Sequence, residues 1–234
     1  MTKNRDSAFT LIELMMAIAI LGVILTMIYG ALTSIMRAKN VIEDQREVRQ
    51  IANAVLTRLT REMQLAYPGI PRLPPPDKLE ERFGSKDNLL GEKETVGSGR
   101  PADHIVFVAL SAGQYVPDGL THGGLVQISY SMQEDPEEKS ADGKSVYVLV
   151  REEVPYLRPY EDAYKQRMVF PLTNRIRSFQ LRYLDLENDE WVSTWGNEKG
   201  MGLPAMIEFS FELESEQGAR TWYTSAVPLR RSFS

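Results

Sequence analysis

The sequence predicts an α+β chain: a long N-terminal helix, membrane-spanning in its first half, followed by a mainly antiparallel β-sheet domain. Three observations carry that prediction. No charged residue occurs from Leu14 to Leu32. Apolar residues then recur at helical spacing, and no proline precedes Pro68. Beyond His104 the apolar residues alternate as they do in strands.

Composition bounds what such a chain can do. Its 234 residues make room for one ordinary domain plus an appendage. Hydrophobic residues at 43% and charged residues at 25% can fill a core, which excludes wholesale disorder. A net charge of -5 argues against nucleic acid as the main partner. Residues 1–66 carry eight basic and six acidic residues, whereas the remainder carries 19 basic and 26 acidic ones. A basic arm and an acidic body imply two parts in different surroundings. With no cysteine, disulfides, thiolate metal sites and cysteine nucleophiles are excluded.

The first element is the apolar run. Nineteen helical residues from Leu14 to Leu32 span about 28 Å, close to the ~30 Å hydrocarbon core of a bilayer. Lys3 and Arg5 precede it and favour a cytoplasmic N-terminus, while Arg37 and Lys39 beyond it leave orientation open on charge alone. A secretory signal peptide has a shorter apolar stretch of roughly 7–15 residues, followed by a small-residue cleavage site. A plain uncleaved anchor fits the run itself but does not explain Glu13. An ionised carboxylate costs roughly 2.5–3.5 kcal/mol at a bilayer centre and less at the edge. There it can favour the positive end of the helix dipole, or invite a partner cation.

Ala8-Phe9-Thr10-Leu11-Ile12-Glu13-Leu14, behind a short basic leader and ahead of the long apolar run, resembles the prepilin cleavage and methylation motif of the type IV pilin-like family. The resemblance implies a leader, residues 1–8, cut by a prepilin peptidase between Ala8 and Phe9. It implies N-methylation of Phe9, and an assembly role for Glu13 through the amine of an adjacent subunit. The residue before the junction is usually glycine in that family and is Ala8 here.

The helix is expected to continue beyond the membrane. Val48, Ile51, Val55, Leu59 and Met63 recur at steps of three or four, giving one apolar stripe. Arg46, Arg49, Arg58, Arg61 and Glu62 occupy much of the remaining surface. Residues 9–66 then form one helix of about 87 Å, with its transmembrane part at 14–32. The stripe is read as packing onto the chain's own globular part, residues 67–234. Gly22 and Gly30 are tolerated inside a membrane helix and can let neighbouring helices approach closely.

Pro68, Pro71 and Pro74-Pro75-Pro76 end the helix. Residues 67–103, rich in Pro, Gly, Lys and Glu, read as a long loop. Strands follow at 104–110, 125–131, 145–151, 176–185, 191–195, 206–213 and 221–227, with an acidic hairpin at 133–143 and an irregular connector at 155–165. Arg177 to Asp185, Trp191, Trp195 and Leu203 to Glu208 come in an order similar to the C-terminal half of the J-type minor pseudopilins of type II secretion.

Catalytic signatures are missing from this chain. His104 opens an apolar strand and His122 sits in a Thr-His-Gly-Gly turn, neither in a metal-ligand spacing. Gly97-Ser98-Gly99 matches no nucleotide or hydrolase motif. Glu134, Asp135, Glu137, Glu138 and Asp142 lack EF-hand spacing and read as a solvated acidic hairpin. The resemblance therefore implies a structural subunit and not an enzyme, with no cofactor. It implies a place at the tip of a periplasmic filament, priming assembly with the I-type and K-type minor pseudopilins and the major pseudopilin. It also implies a single pass through the bacterial inner membrane and its lipid, with the C-terminal domain in the periplasm. A minor pilin of a type IV pilus or DNA-uptake system shares every N-terminal feature. A signal-anchored periplasmic enzyme is the more distant alternative.

Overall fold

The computed structural model describes residues 11–80, 87–97, 99–110, 124–139, 145–196 and 202–229. The chain divides into two compact units, Met1–Glu47 and Val48–Ser234. One helix, α1 (Leu11–Gln64), supplies all the described structure of the first unit and opens the second.

In the second unit the expected stripe is found buried. Val48, Ala52, Val55, Leu59 and Met63 all join the main core, and Ile51 packs at its margin. The helix ends by tightening. Leu65 N–H and Ala66 N–H donate to the carbonyls three residues back, at 3.1 and 3.0 Å. Tyr67 N–H then donates to the Val108 carbonyl at 2.8 Å, and Leu110 N–H to that of Leu65 at 3.0 Å. The helix exit is thus sewn directly to a strand, β4 (His104–Leu110).

The proline-rich stretch is more structured than expected. Leu73 N–H donates to Gln127 Oε1 at 2.7 Å, and the Tyr156 and Tyr164 hydroxyls donate to the carbonyls of Pro71 and Pro74. Short strands β1 (Leu89–Glu92), β2 (Thr95–Val96) and β3 (Arg100–Pro101) also lie inside the region read as loop. Proline cannot continue a helix, but its carbonyl remains a full acceptor. Side chains from distant segments exploit that.

A five-stranded antiparallel sheet runs in the order β1, β4, β5 (Leu125–Lys139), β6 (Ser145–Pro155), β7 (Met168–Thr173). Ile105, Phe107 and Ala109 pair in register with Tyr130, Ile128 and Val126, and all six are fully buried. A four-stranded sheet has the order β11 (Arg220–Pro228), β10 (Met206–Glu214), β8 (Ile176–Asp185), β9 (Glu190–Val192). Its inner face alternates as period two requires, with Ile207, Phe209, Phe211 and Leu213 completely buried. Asp103 joins the sheets. Its N–H donates to the Phe179 carbonyl at 2.9 Å, and its Oδ2 accepts from Leu181 N–H at 2.8 Å.

The α+β expectation holds, with local corrections. A helix, α2 (Tyr160–Lys165), stands inside the connector read as irregular. Buried Ala163 packs there with Leu73 and Val154, flanked by Tyr156, Tyr160 and Tyr164. Strand β7 was not foreseen, because Pro171 interrupts its pattern; it lies at a sheet edge, where a proline is tolerated. The expected 191–195 strand is shorter. Trp195 instead forms an isolated bridge to Gly91, with reciprocal N–H to carbonyl bonds of 2.9 Å.

Candidate functional site

The N-terminal stretch of α1 is built for an apolar surrounding. Every residue from Leu11 to Leu32 is exposed. Fifteen of these are large hydrophobics, among them Leu11 at 76% and Met27 and Tyr29 at 70%. Burying each such side chain is worth roughly 1.5–3 kcal/mol, so lipid or other apolar helices must cover this segment. Its polar groups are arranged to suit. Thr26 Oγ1 donates to the Gly22 carbonyl at 2.8 Å, and Thr33 Oγ1 to that of Gly30 at 2.9 Å. Those hydroxyls are therefore satisfied within the helix, as a bilayer interior demands. A methyl added at Gly22 or Gly30 would meet nothing within 4 Å, so both positions remain open to approach from outside. Among the described residues, α1 is one helix long and apolar enough to cross a membrane.

Glu13 lies in the first turn of α1, where a carboxylate meets the positive end of the helix dipole. Ala8 and Phe9 lie outside the described residues, as does His122.

The far end of α1 carries a group that its sequence did not mark. Glu62 was read with the charged outer surface, but it is buried at 6% exposure. Arg151 Nε donates to both its oxygens, at 3.0 and 2.9 Å. Tyr130 Oη donates to Glu62 Oε2 at 2.5 Å, and Arg58 Nε reaches Oε1 at 3.3 Å. Arg151 Nη1 donates to Glu153 Oε2 at 2.7 Å. The sheet places these partners. Tyr130 and Arg151 face each other across β5 and β6, and Glu153 follows Arg151 by two, on the same side of its strand. Burial, then the charge of Glu62, pushes the Tyr130 hydroxyl well above its usual range. Burial alone would lower the Arg151 pKa, but Glu62 and Glu153 outweigh it and raise it. The cluster fixes how α1 seats on the five-stranded sheet. An alternating strand containing Arg151 and Glu153 and a helical Glu62 are the only traces it leaves in the sequence.

His104 opens β4 as expected, with Nδ1 3.9 Å from Glu92 Oε2 and 4.0 Å from Glu94 Oε1. Gly97 and Gly99, which lie between β2 and β3, take positive φ of 57° and 87°. The acidic stretch begins as the end of β5, where Glu134 Oε1 accepts from Ser145 Oγ at 2.5 Å. The side chains of Glu137 and Glu138, and all of Asp142, lie outside the description.

Two family descriptions match the chain. The prokaryotic N-terminal methylation motif covers residues 3–29. Type II secretion system (T2SS), protein J, covers residues 30–224, from inside α1 to within β11. No curated protein matches. The first match takes in Ala8, Phe9 and Glu13; the second spans most of the chain and decides for secretion over a pilus. With its exposed apolar helix and β-rich domain, the chain belongs to the type II secretion system protein J family, the J-type minor pseudopilins.

Proposed function

We propose that this subunit is cut between Ala8 and Phe9 by a prepilin peptidase, methylated on Phe9, and placed at the tip of the pseudopilus. There it primes filament assembly with the I-type and K-type minor pseudopilins, ahead of the major pseudopilin. Residues 1–8 are the leader, 9–66 the long helix with its membrane part at 14–32, and 67–234 the periplasmic domain. The role is structural. The observation that carries it is the fully exposed apolar surface from Leu11 to Leu32. Such a helix rests in inner-membrane lipid until it is extracted, and afterwards needs the apolar faces of neighbouring helices. Glu13 guides that transfer by pairing with the Phe9 amine of an adjacent subunit, an ion pair whose strength grows as water is excluded.

Glu13→Ala tests the reading in cells carrying the whole secretion system. The variant is expected to insert in the inner membrane at the normal level. Its cross-linking to the I-type and K-type subunits should be lost, and secretion reduced. Normal cross-linking and secretion would contradict the assigned role of Glu13.

A further inference from the structure

We propose that Glu92, Glu94 and His104 form a surface site for one divalent transition-metal ion, with zinc the best fit. Glu92 and His104 are direct partners across the antiparallel β1–β4 pair, so their side chains rise from the same face. Glu94 lies two residues past Glu92, and its backbone is held where the Ala102 N–H donates to its carbonyl at 2.9 Å. One ligand atom from each of the three side chains lies within 4.8 Å of the other two.

Those distances are close to what an ion needs. Zinc binds imidazole nitrogen and carboxylate oxygen at about 2.0–2.2 Å, which puts tetrahedral ligand atoms about 3.4 Å apart. The His104 Nδ1 distances of 3.9 and 4.0 Å shrink to that by small side-chain rotations. Glu92 and Glu94 can make them, being 43% and 52% exposed, while the His104 ring, at 25%, is held more firmly. The surrounding charge is mixed. Arg72 acts on Glu92, whereas Lys93 and Asp103 lie beside Glu94. Two carboxylates brought together still favour a cation between them.

The donor set selects the ion. Calcium takes six to eight oxygens and magnesium a near-octahedral oxygen shell, whereas imidazole suits zinc and its neighbours. Three protein ligands leave a fourth position for water. The bound ion would tie the edge strand β1 and the chain beyond it to β4.

The test is calorimetric titration of the full chain, in detergent and freed of metal by a chelator, with zinc chloride. One saturable ion is expected, and Co2+ in its place should give the ligand-field absorption of a low-symmetry site. Glu94→Gln and His104→Gln should each weaken zinc binding at least about tenfold, since even outer-shell changes cost that much. His122→Gln should change nothing, and excess Ca2+ should not compete. Glu94 is a surface side chain, so its variant keeps the test valid if His104→Gln fails to fold. Absence of saturable zinc binding would overturn the proposal, as would binding that both variants leave unchanged.

Discussion

Arg151 and Glu62, 89 residues apart in sequence, meet inside the protein with Arg151 Nε 3.0 and 2.9 Å from the two carboxylate oxygens. Arg151 is fully buried between Glu62 and an equally buried Glu153. Removing one partner from such a pair typically costs 3–5 kcal/mol, because the other charge stays buried without compensation. Arg151→Met takes the buried guanidinium away from both carboxylates, although Glu62 keeps Tyr130 and Arg58, and should destabilise the β-rich unit by about that amount. Glu62→Gln keeps an acceptor for Tyr130 and Arg151 and should cost less. Urea unfolding followed by tryptophan fluorescence reads this unit selectively, since all three tryptophans, Trp191, Trp195 and Trp222, lie within it. An Arg151→Met curve superimposed on wild type would remove the cluster from any role in seating α1.

Gly91 shows how closely the two sheets approach. A Cβ there would sit 2.0 Å from Tyr183 Oη and 2.2 Å from Cζ, and Tyr183 is completely buried. Gly91→Ala must displace that ring, and overpacking of this kind costs about 1–3 kcal/mol. The same urea experiment should show a lower midpoint. An added methyl at Gly22 meets nothing in its own chain, so Gly22→Ala should leave that midpoint where it is.

Glu214 gives the β10–β11 pair a dependence on pH. Burial works to raise its pKa, but hydrogen bonds and charge from Arg220 and Arg177 prevail and hold the carboxyl below its usual range. Arg220 Nε stands 2.7 Å and Arg177 Nε 3.2 Å from Oε2. A depressed folded value means the stabilisation is present above the ordinary carboxylate pKa and disappears as pH falls through the folded value. Exposed pairs of this kind contribute about 1 kcal/mol or less. Glu214→Gln should therefore lower the unfolding midpoint at neutral pH and converge on wild type in acid. A difference that grows on acidification would reverse the sign of this account.

Much of this fold can be read from the residues alone. The stripe through Val48, Val55, Leu59 and Met63 is periodic and unbroken, and it became the buried face of α1. His104 to Leu110 forms a strand over the expected span, because its apolar run ends at recognisable boundaries. What escaped depends on distant partners. Glu62 resembles any solvated helix glutamate until Arg151 arrives from β6. The order in residues 67–80 comes from Gln127, Tyr156 and Tyr164, and no local pattern announces them. Glu92 and His104 become neighbours only through the β1–β4 register. At the other end of the chain, the apolar stretch of α1 was legible because its pattern is local: no charged residue from Leu14 to Leu32.

The junction predicts its own tolerance. Ala8→Gly should preserve or improve processing, and a bulky Ala8→Trp should block it, read as the mobility of the chain on a denaturing gel. Equal processing of both would sink the assignment of the junction.

The most direct test of the whole account is mass spectrometry of the intact chain and its N-terminal peptide, on protein recovered from its own membrane. The account predicts a chain that begins at Phe9 and carries one added methyl group. A chain still beginning at Met1 would contradict it, leaving an uncleaved anchor with no route into a filament.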